Sequence, residues 1–322
     1  MRTQTTGASG PDLSDWLIKN GAGCVRRAMP MYRFTTFRIG GPADYLVYPA
    51  SLSGLIDLIG ALKQRCIPWI LLGGGSNLLV SDQGIRGVVI SLSQLGTAPI
   101  SEPVSDSDIW VTASAGWKLP ALCRLAMKAG WDGVAPLAGI PGSIGGAVVM
   151  NAGTPQGTIG DLLETVTVLT VEGSLVNISK DRLITGYRTL GIRDSDALEK
   201  GGIVLSATLL VKQAQPAVVR AAMHAILVMR KARQPVGAPS AGSYFRNPAA
   251  GKPAGWLIEQ AGLKGFRIGN AAVSEMHANF LINRAPGHAN ACRDMRLLAA
   301  HVQAEVSQRF SVLLEPEVRY VG

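Results

Sequence analysis

Two glycine-rich stretches are the parts of this chain best suited to hold a charged ligand. The first, Gly73-Gly74-Gly75-Ser76-Asn77, lies between two apolar runs. Successive glycines allow neighbouring backbone N–H groups to point into one concavity, which suits a pyrophosphate, and Ser76 and Asn77 add side-chain donors. The same residues also suit a plain tight turn between two strands, and the motif alone does not separate the two interpretations.

The second stretch is longer and has almost no bulky side chains. It comprises Ala138, Gly139, Ile140, Pro141, Gly142, Ser143, Ile144, Gly145 and Gly146, and it continues to Asn151. A ligand lying along this backbone would supply the packing that small residues do not, and a closely packed crossing of two loops is the alternative. Neither a GxGxxG sequence opening a helix nor a Walker sequence is present, so the common nucleotide-binding fingerprints do not account for these glycines.

Three side chains in the second half of the chain have types that catalysis uses. Arg188 offers a planar, permanently charged fork for a carboxylate. Ser243 follows Gly242, and its small neighbours leave the hydroxyl accessible. Glu317 would donate a hydrogen bond only if burial raised its pKa. Taken alone, these residues are more typical of a solvated surface, a turn and an exposed strand edge than of a catalytic site.

The elements that position these residues belong to a folded chain of more than one domain. Of the 322 residues, 47% are hydrophobic and 16% charged, which excludes a disordered chain. Residues 133–160 carry no charge, but their eight glycines and three prolines predict a buried loop system rather than a membrane-spanning helix. The net charge of +9 is dispersed, apart from Arg230-Lys231-Ala232-Arg233, so small anionic ligands are favoured over nucleic acid.

The cysteines and the N-terminal residues give evidence on the cellular compartment of the protein. The four cysteines lie far apart and form no CxxC pair, which predicts neither a disulfide framework nor a metal site and fits a reducing, cytoplasmic compartment. The first twelve residues lack the apolar segment of a secretory signal.

Hydrophobic periodicity predicts an α+β chain. The predicted helices cover residues 13–20, 51–65, 119–129, 216–233, 254–261 and 291–310. The predicted strands are two around a turn within 33–48, single strands within 67–80, 87–92, 109–116 and 203–212, a hairpin over 165–178, and a last strand over 312–322. The change from strand-rich to helix-rich sequence near residue 213 indicates a domain boundary.

Several segments together resemble one enzyme family. TTFRIGGPADYLVYP (35–49), LLGGGSNLLVSDQGIRGVVISL (71–92) and LAGIPGSIGGAVVMNAG (137–153) are similar to the UDP-N-acetylenolpyruvoylglucosamine reductase family. The likeness continues through GYR (186–188), AGSYFRNP (241–248), AGWLIEQAGLKG (254–265), VSEMHANFLIN (273–283) and LEPEVRYVG (314–322). The motifs keep the family's order from about residue 31 to the end of the chain.

The resemblance implies a fold and a set of ligands. After a tail and short helix (1–30), it implies a PCMH or vanillyl-alcohol-oxidase-type FAD-binding domain of two α+β subdomains (31–213). A smaller α/β substrate-binding domain (214–322) follows, and its final strand (312–321) returns to the active site. The implied ligands are non-covalent FAD, NADPH as reductant and a UDP-sugar substrate. The expected protein is a cytoplasmic monomer or weak oligomer that binds no nucleic acid and has no membrane span.

The resemblance also implies residue roles. FAD contacts fall on Gly73, Gly74, Gly75, Ser76, Asn77, Gly139, Ile140, Pro141, Gly142, Ser143, Gly145, Gly146 and Asn151. Arg188 and Glu317 would stabilise the enolate-like species formed when hydride reaches the vinyl carbon of the substrate, and Ser243 would protonate it. Substrate contacts fall on Tyr187, Arg233, Asn247 and Glu259, and no metal is expected.

Two alternatives share this scaffold. One is another flavoprotein oxidoreductase, which would predict a His or Cys near the glycine loops for covalent flavin attachment. No histidine precedes His224, and Cys123 lies in a helical pattern. The other is a catalytically inactive relative that binds a sugar nucleotide, although all three catalytic positions are filled.

The chain departs from the family at Tyr244 and Arg246, where Phe and Lys are more usual. The short stretch between Arg188 and Ser243 matches the shorter class, which lacks an extra substrate-covering loop.

Overall fold

The computed structural model describes residues 13–96 and 98–322, so the predicted tail before Leu13 lies outside the described residues. The helices are α1 (Leu13–Leu17), α2 (Leu52–Gln64), α3 (Leu119–Ala129), α4 (Ile144–Val149), α5 (Pro216–Arg233), α6 (Ala254–Gln260) and α7 (Ala291–Phe310). The strands of the first half are β1 (Cys24–Pro30), β2 (Pro42–Tyr48), β3 (Trp69–Leu72), β4 (Leu78–Val80), β5 (Ile85–Ser91), β6 (Ile100–Pro103), β7 (Asp108–Ser114), β8 (Trp131–Asp132), β9 (Gly153–Thr154) and β10 (Gly157–Thr158). Those of the second half are β11 (Leu163–Leu169), β12 (Leu175–Ser179), β13 (Leu183–Gly186), β14 (Thr189–Ile192), β15 (Ile203–Gln213), β16 (Arg267–Ile268), β17 (Ala271–Val273), β18 (Leu281–Asn283) and β19 (Arg319–Val321).

The first sheet has four strands in the order β1-β2-β5-β3. β1 runs antiparallel to β2, whereas β2, β5 and β3 run parallel. The parallel strands are connected through α2, which begins where the Ser51 hydroxyl accepts a hydrogen bond from Gly54 N at 3.0 Å. Leu55, Leu58 and Leu62 of α2 are buried, as its apolar periodicity predicts.

The second sheet has six antiparallel strands, and its buried residues share one hydrophobic core with α2 and with β2 and β5 of the first sheet. Its order is β12-β11-β15-β7-β6, with β8 paired to β15. β11 and β12 form the predicted hairpin over residues 165–178. Two sheets followed by a third unit match the mixed α+β fold that the sequence predicts.

The helix α5 packs with the six-stranded sheet. Its buried residues Val219 and Met223 belong to the same core as the strands of that sheet. The predicted domain boundary near residue 213 stays a prediction, and α5, which follows residue 213, packs with the sheet that precedes it.

The C-terminal unit consists of the three-stranded sheet β16-β17-β18 with α6 and α7. Leu257 and Ile258 of α6 and Met295 and Leu298 of α7 share a second core. After α7 the chain returns to the first part of the molecule, where β19 pairs in parallel with β4. This return places the residues before β19 beside the loop that connects β3 to β4.

Two strand predictions were wrong. Residues 33–41 form no strand, because the Thr35 hydroxyl bonds both N and O of Ile39 and holds the segment in a turn. The final strand covers only Arg319–Val321, because the residues before it pair elsewhere: Pro316 forms an isolated antiparallel bridge with Phe245. The edge strand β1 was not predicted.

Within the described residues, no helix is long and apolar enough to cross a membrane.

Candidate active site

The loop between β3 and β4 presents a row of backbone donors. Within the part of the chain that the structure describes, none of the backbone N–H groups from Gly73 to Asn77 donates a hydrogen bond to another residue. Gly73 and Gly74 are exposed to solvent. Unpaired N–H groups in succession form an anion-binding concavity, so this loop can hold a pyrophosphate.

The second glycine loop packs directly on the first. A Cβ added to Gly74 would lie 2.4 Å from Gly142 Cα, and one added to Gly142 would lie 2.9 Å from Ser76 Oγ. A Cβ on Gly145 would lie 2.8 Å from the Ala115 side chain. The close crossing of the two loops, one of the two interpretations of these sequences, therefore explains Gly74 and Gly142, and Gly145 is explained by its packing on the residue after β7. The donors of the first loop remain free, so the two interpretations hold together.

This arrangement fits a cofactor such as FAD. The pyrophosphate requires closely spaced donors, which Gly73 to Asn77 supply, and the flat ring system requires an open surface with few bulky side chains. Gly146 and Val149 are exposed on α4, beyond the Ser143 hydroxyl that accepts from Gly146 N at 3.3 Å. Which of these residues contact the cofactor stays a prediction.

Arg188 lies at the tip of the two-stranded hairpin β13–β14. Gly186 pairs with Thr189, so Tyr187 and Arg188 form a two-residue turn, and Arg188 has a φ of 59°. A left-handed backbone is unfavourable for a residue with a branched or long side chain and persists only where neighbours hold it. The guanidinium Nε donates to Glu317 Oε1 at 2.7 Å.

Glu317 is held close to this turn by its backbone. Its N–H donates to Tyr244 O at 2.8 Å, and its carbonyl oxygen accepts from Asn77 Nδ2 at 3.2 Å. The second carboxylate oxygen, Oε2, is buried without a partner among the described residues. Burial raises the pKa of the Glu317 carboxyl, and the charges of Arg188 and Arg246 oppose that rise without cancelling it. The carboxyl can therefore take up a proton more readily than an exposed glutamate.

Ser243 precedes the residue that holds Glu317. Its side chain is half-buried and has no partner within the described residues, and the space beside Gly242 is open. The segment is fixed by Asn279, whose Oδ1 accepts from Phe245 N at 2.9 Å and whose Nδ2 donates to Phe245 O at 2.8 Å. Asn279 was not singled out from the sequence. A lone amide among the apolar residues of MHANFL is the signal that marks it.

Asn77 connects the donor loop to the C-terminal segment. Its side chain bonds Glu317 O, and its backbone oxygen accepts from Arg319 N at 3.0 Å. The final strand therefore brings Glu317 to the end of the loop that suits a pyrophosphate. Arg188, Glu317, Asn77 and the Ser243 segment form one group of residues.

The predicted substrate contacts fall partly outside this group. Tyr187 is 54% exposed beside Arg188, whose guanidinium carbon lies 5.3 Å from the tyrosine ring centre. Asn247 Oδ1 accepts from Ala254 N at the start of α6, and Glu259 forms an exposed ion pair with Lys264 at 2.7 Å. Arg233 is the exposed last residue of α5. No hydrogen bond or ion pair between described residues links Asn247, Glu259 or Arg233 to Arg188 or Glu317. The roles of all four predicted substrate contacts stay predictions.

The group can stabilise and protonate an anion. A permanent cation contacts a carboxyl with a raised pKa beside an open donor loop, and the segment that carries the Ser243 hydroxyl is bonded to Glu317 through Tyr244 O. Among the described residues, no group of histidine, cysteine or acidic side chains could hold a metal ion. The arrangement suits chemistry on a substrate carboxylate next to a bound phosphate-bearing cofactor.

Comparison with known proteins gives a consistent result. Residues 234–321 match the family described as UDP-N-acetylenolpyruvoylglucosamine reductase, C-terminal domain, and residues 43–179 match the FAD binding domain family. A UDP-N-acetylenolpyruvoylglucosamine reductase of Desulfosudis oleivorans is 43% identical over 95% of this chain and 97% of its own length. The relative of that name in Trichormus variabilis is 39% identical over 94% of this chain and 88% of its own length. The crystal structure of UDP-N-acetylenolpyruvylglucosamine reductase from Thermus caldophilus is 33% identical, with a TM-score of 0.75 over 93% of this chain and 99% of that chain.

Proposed function

The chain belongs to the UDP-N-acetylenolpyruvoylglucosamine reductase family, whose members are FAD-dependent oxidoreductases of peptidoglycan precursor synthesis, and we propose that Arg188, Glu317 and Ser243 carry its reaction. The substrate is the enolpyruvyl ether of UDP-N-acetylglucosamine, and the product is UDP-N-acetylmuramate. The contact of Arg188 Nε with Glu317 Oε1 at 2.7 Å, beside the Ser243 segment, is the observation that supports these roles.

The cofactor would be held by the two glycine loops. The free N–H groups of Gly73 to Asn77 suit its pyrophosphate, and the open surface of α4 suits its ring system. When bound there and reduced, FAD would supply a hydride for the terminal vinyl carbon of the substrate, with NADPH as the source of electrons.

Arg188 stabilises the charge that this addition creates. When the terminal carbon accepts a hydride, an electron pair moves onto the adjacent carbon and spreads into the substrate carboxylate. The Nε–H of Arg188 already donates a hydrogen bond to Glu317 Oε1. Within the described residues no acceptor contacts the terminal nitrogens of the guanidinium, so they are available to the carboxylate. Because the fork carries its charge at every working pH, it needs no proton transfer to act.

Ser243 completes the reaction by donating the proton of its hydroxyl. The new C–H bond forms at the carbon that bears the ether oxygen, and the serine oxygen regains a proton from solvent, which reaches the half-buried side chain. Glu317 balances the charge of Arg188 before the substrate arrives. In its protonated form, it can also donate a hydrogen bond to the substrate carboxylate instead of repelling it.

Separate measurement of the two half-reactions tests this proposal. In Ser243→Ala, anaerobic bleaching of the yellow enzyme by NADPH is expected to be unchanged, whereas reoxidation by the enolpyruvyl substrate slows by about 10²–10⁴-fold. Ser240→Ala, in the same loop, is the matched control and should leave both steps intact. Equal slowing of both half-reactions in Ser243→Ala would exclude Ser243 as the proton donor. A colourless protein that takes up no FAD would overturn the cofactor assignment.

We further propose that the reaction takes place in the cytoplasm, where NADPH and UDP-sugars are available. Fractionation of cells that produce the protein, with the yellow chromophore as the marker, tests this location.

A further inference from the structure

Arg188 depends on support from outside its own hairpin. β13 and β14 form a separate two-stranded sheet, and a two-stranded ribbon is at best marginally stable alone. The strained φ of 59° at Arg188 adds a local cost. A side chain that fixes this turn would therefore decide where the guanidinium lies.

One such side chain is Asn151. Its Nδ2 donates to Gly186 O at 2.9 Å, directly before the turn, and its Oδ1 accepts from Gly160 N at 3.0 Å. Asn151 is only 6% exposed, and its two side-chain hydrogen bonds join it to half-buried backbone groups, which restricts its orientation. Asn151 itself has a φ of 39°, a conformation that asparagine tolerates better than most residues.

The side chain of Asn151 is closely packed against Gly160. A Cβ added to Gly160 would lie 2.5 Å from Asn151 Oδ1 and 2.7 Å from Thr185 Cγ2 of β13. Gly160 therefore presses against both the amide and the hairpin. Asn151 also follows α4 closely in the chain, so one side chain ties the second glycine loop to the catalytic turn.

We propose that Asn151 is a positioning residue for Arg188: it fixes the Arg188 turn through Gly186 O, and it acts on the reaction through the guanidinium. The cofactor contact that the family resemblance implies for Asn151 stays a prediction, and its hydrogen bond to Gly186 O connects it to the hairpin. The inference rests on the catalytic role proposed above for Arg188.

Asn151→Asp is the primary test, because aspartate keeps the acceptor for Gly160 N and tolerates a positive φ but removes the donor to Gly186 O. The variant is expected to retain bound FAD and normal reduction by NADPH, while reoxidation by the enolpyruvyl substrate slows by about 100-fold. Gly160→Ala, which presses on the same amide from the other side, should give the same selective loss. Asn177→Asp, an exposed asparagine of β12, is the matched control and should change neither step.

Combination with Arg188→Ala separates the two proposals. If Asn151 acts through the guanidinium, Asn151→Asp should slow reoxidation no further in the Arg188→Ala background. Equal slowing in both backgrounds overturns the positioning role, and so does weakened FAD binding with both half-reactions lowered together. If Arg188→Ala alone leaves reoxidation unchanged, the proposed catalytic role fails instead.

Discussion

Arg188 and Glu317 lie 129 residues apart in the sequence, yet Arg188 Nε donates to Glu317 Oε1 at 2.7 Å. The two side chains differ in burial: the arginine side chain is 24% exposed and the glutamate side chain 9% exposed. The arginine is the more exposed partner, and burial leaves the glutamate with little access to solvent. Removal of the arginine and removal of the glutamate should therefore change the free energy of unfolding by different amounts.

This inequality predicts different effects of two substitutions on stability. The folded-state pKa of Glu317 lies above its ordinary value of 4.5, so the stability linked to its protonation is fully present below that value and is lost as pH rises through the folded-state pKa. Arg188→Ala removes the cation that opposes this loss and should lower the free energy of unfolding at pH 8 by about 1–3 kcal/mol. Glu317→Gln removes the buried charge and should stay within about 1 kcal/mol of the parent.

Urea unfolding at two pH values measures both effects. The deficit of Arg188→Ala should shrink between about pH 8 and pH 5, because the unpaired carboxyl takes up a proton as the pH falls. The exposed pair Arg309–Glu305 on α7 is the control, and Arg309→Ala should change stability by no more than about 0.5 kcal/mol at either pH. A pH-independent deficit in Arg188→Ala would show that the carboxylate is not its cause.

The contact of the two glycine loops predicts a selective effect on cofactor binding. In Gly74→Ala the new Cβ would lie 2.4 Å from Gly142 Cα, so the loops must separate and the row of free N–H groups shifts. FAD affinity, measured by quenching of flavin fluorescence, should fall at least about 10-fold, together with a lower Tm of the loaded protein. Gly60→Ala in α2 has no atom within 4 Å of the new Cβ. This control should bind FAD normally and gain about 0.5–1 kcal/mol of stability. Equal FAD affinity in the two variants would contradict the loop contact.

Local sequence signals predicted the elements whose stability is local. The helix over 216–233 has Pro216 at its start and basic residues in its last turn, and its predicted bounds are those of α5. The hairpin over 165–178 follows from alternation around Glu172-Gly173. The strand expected before residue 41 failed because one threonine hydroxyl bonds the backbone of Ile39, an interaction that hydrophobic periodicity does not register.

The arrangement of the site could not be predicted from nearby sequence, because contacts between distant parts of the chain form it. The glycine run at 73–77 predicted donors for a phosphate, but nothing in its sequence shows that Gly74 packs on Gly142. Arg188 and Ser243 were placed by family resemblance, since a turn arginine and a serine after glycine are common. The position of Glu317 beside Arg188 depends on β19 pairing in parallel with β4, a pairing between the C-terminal strand and a strand near residue 80.

Asn279 should prove essential to the Ser243 segment although it was not a predicted site residue. It is 2% exposed and bonds both N and O of Phe245, two residues after Ser243. Asn279→Ala leaves both buried backbone groups unpaired, so the free energy of unfolding should fall by about 2–4 kcal/mol, and reoxidation of reduced flavin should slow. Urea unfolding and stopped-flow reoxidation measure the two effects, with Asn177→Ala as the control. Normal reoxidation in a destabilised variant would limit Asn279 to a structural role.

The start of α7 depends on a carboxylate from another part of the chain. Asn290 precedes the helix without a side-chain cap, and Asp82, from the turn after β4, accepts from Cys292 N and Arg293 N, each at 2.9 Å. An anion at a helix N-terminus satisfies free N–H groups and interacts favourably with the helix dipole. Asp82→Ala should therefore lower the free energy of unfolding by about 1–2 kcal/mol, a decrease of roughly 2–4 °C in Tm for a chain of this size. Asp57→Ala, an exposed aspartate of α2, is the control in calorimetry. Asp82→Asn should fall between the two, because it keeps one acceptor and loses the charge. An Asp82→Ala variant as stable as the control would show that solvent satisfies the first turn of α7 equally well.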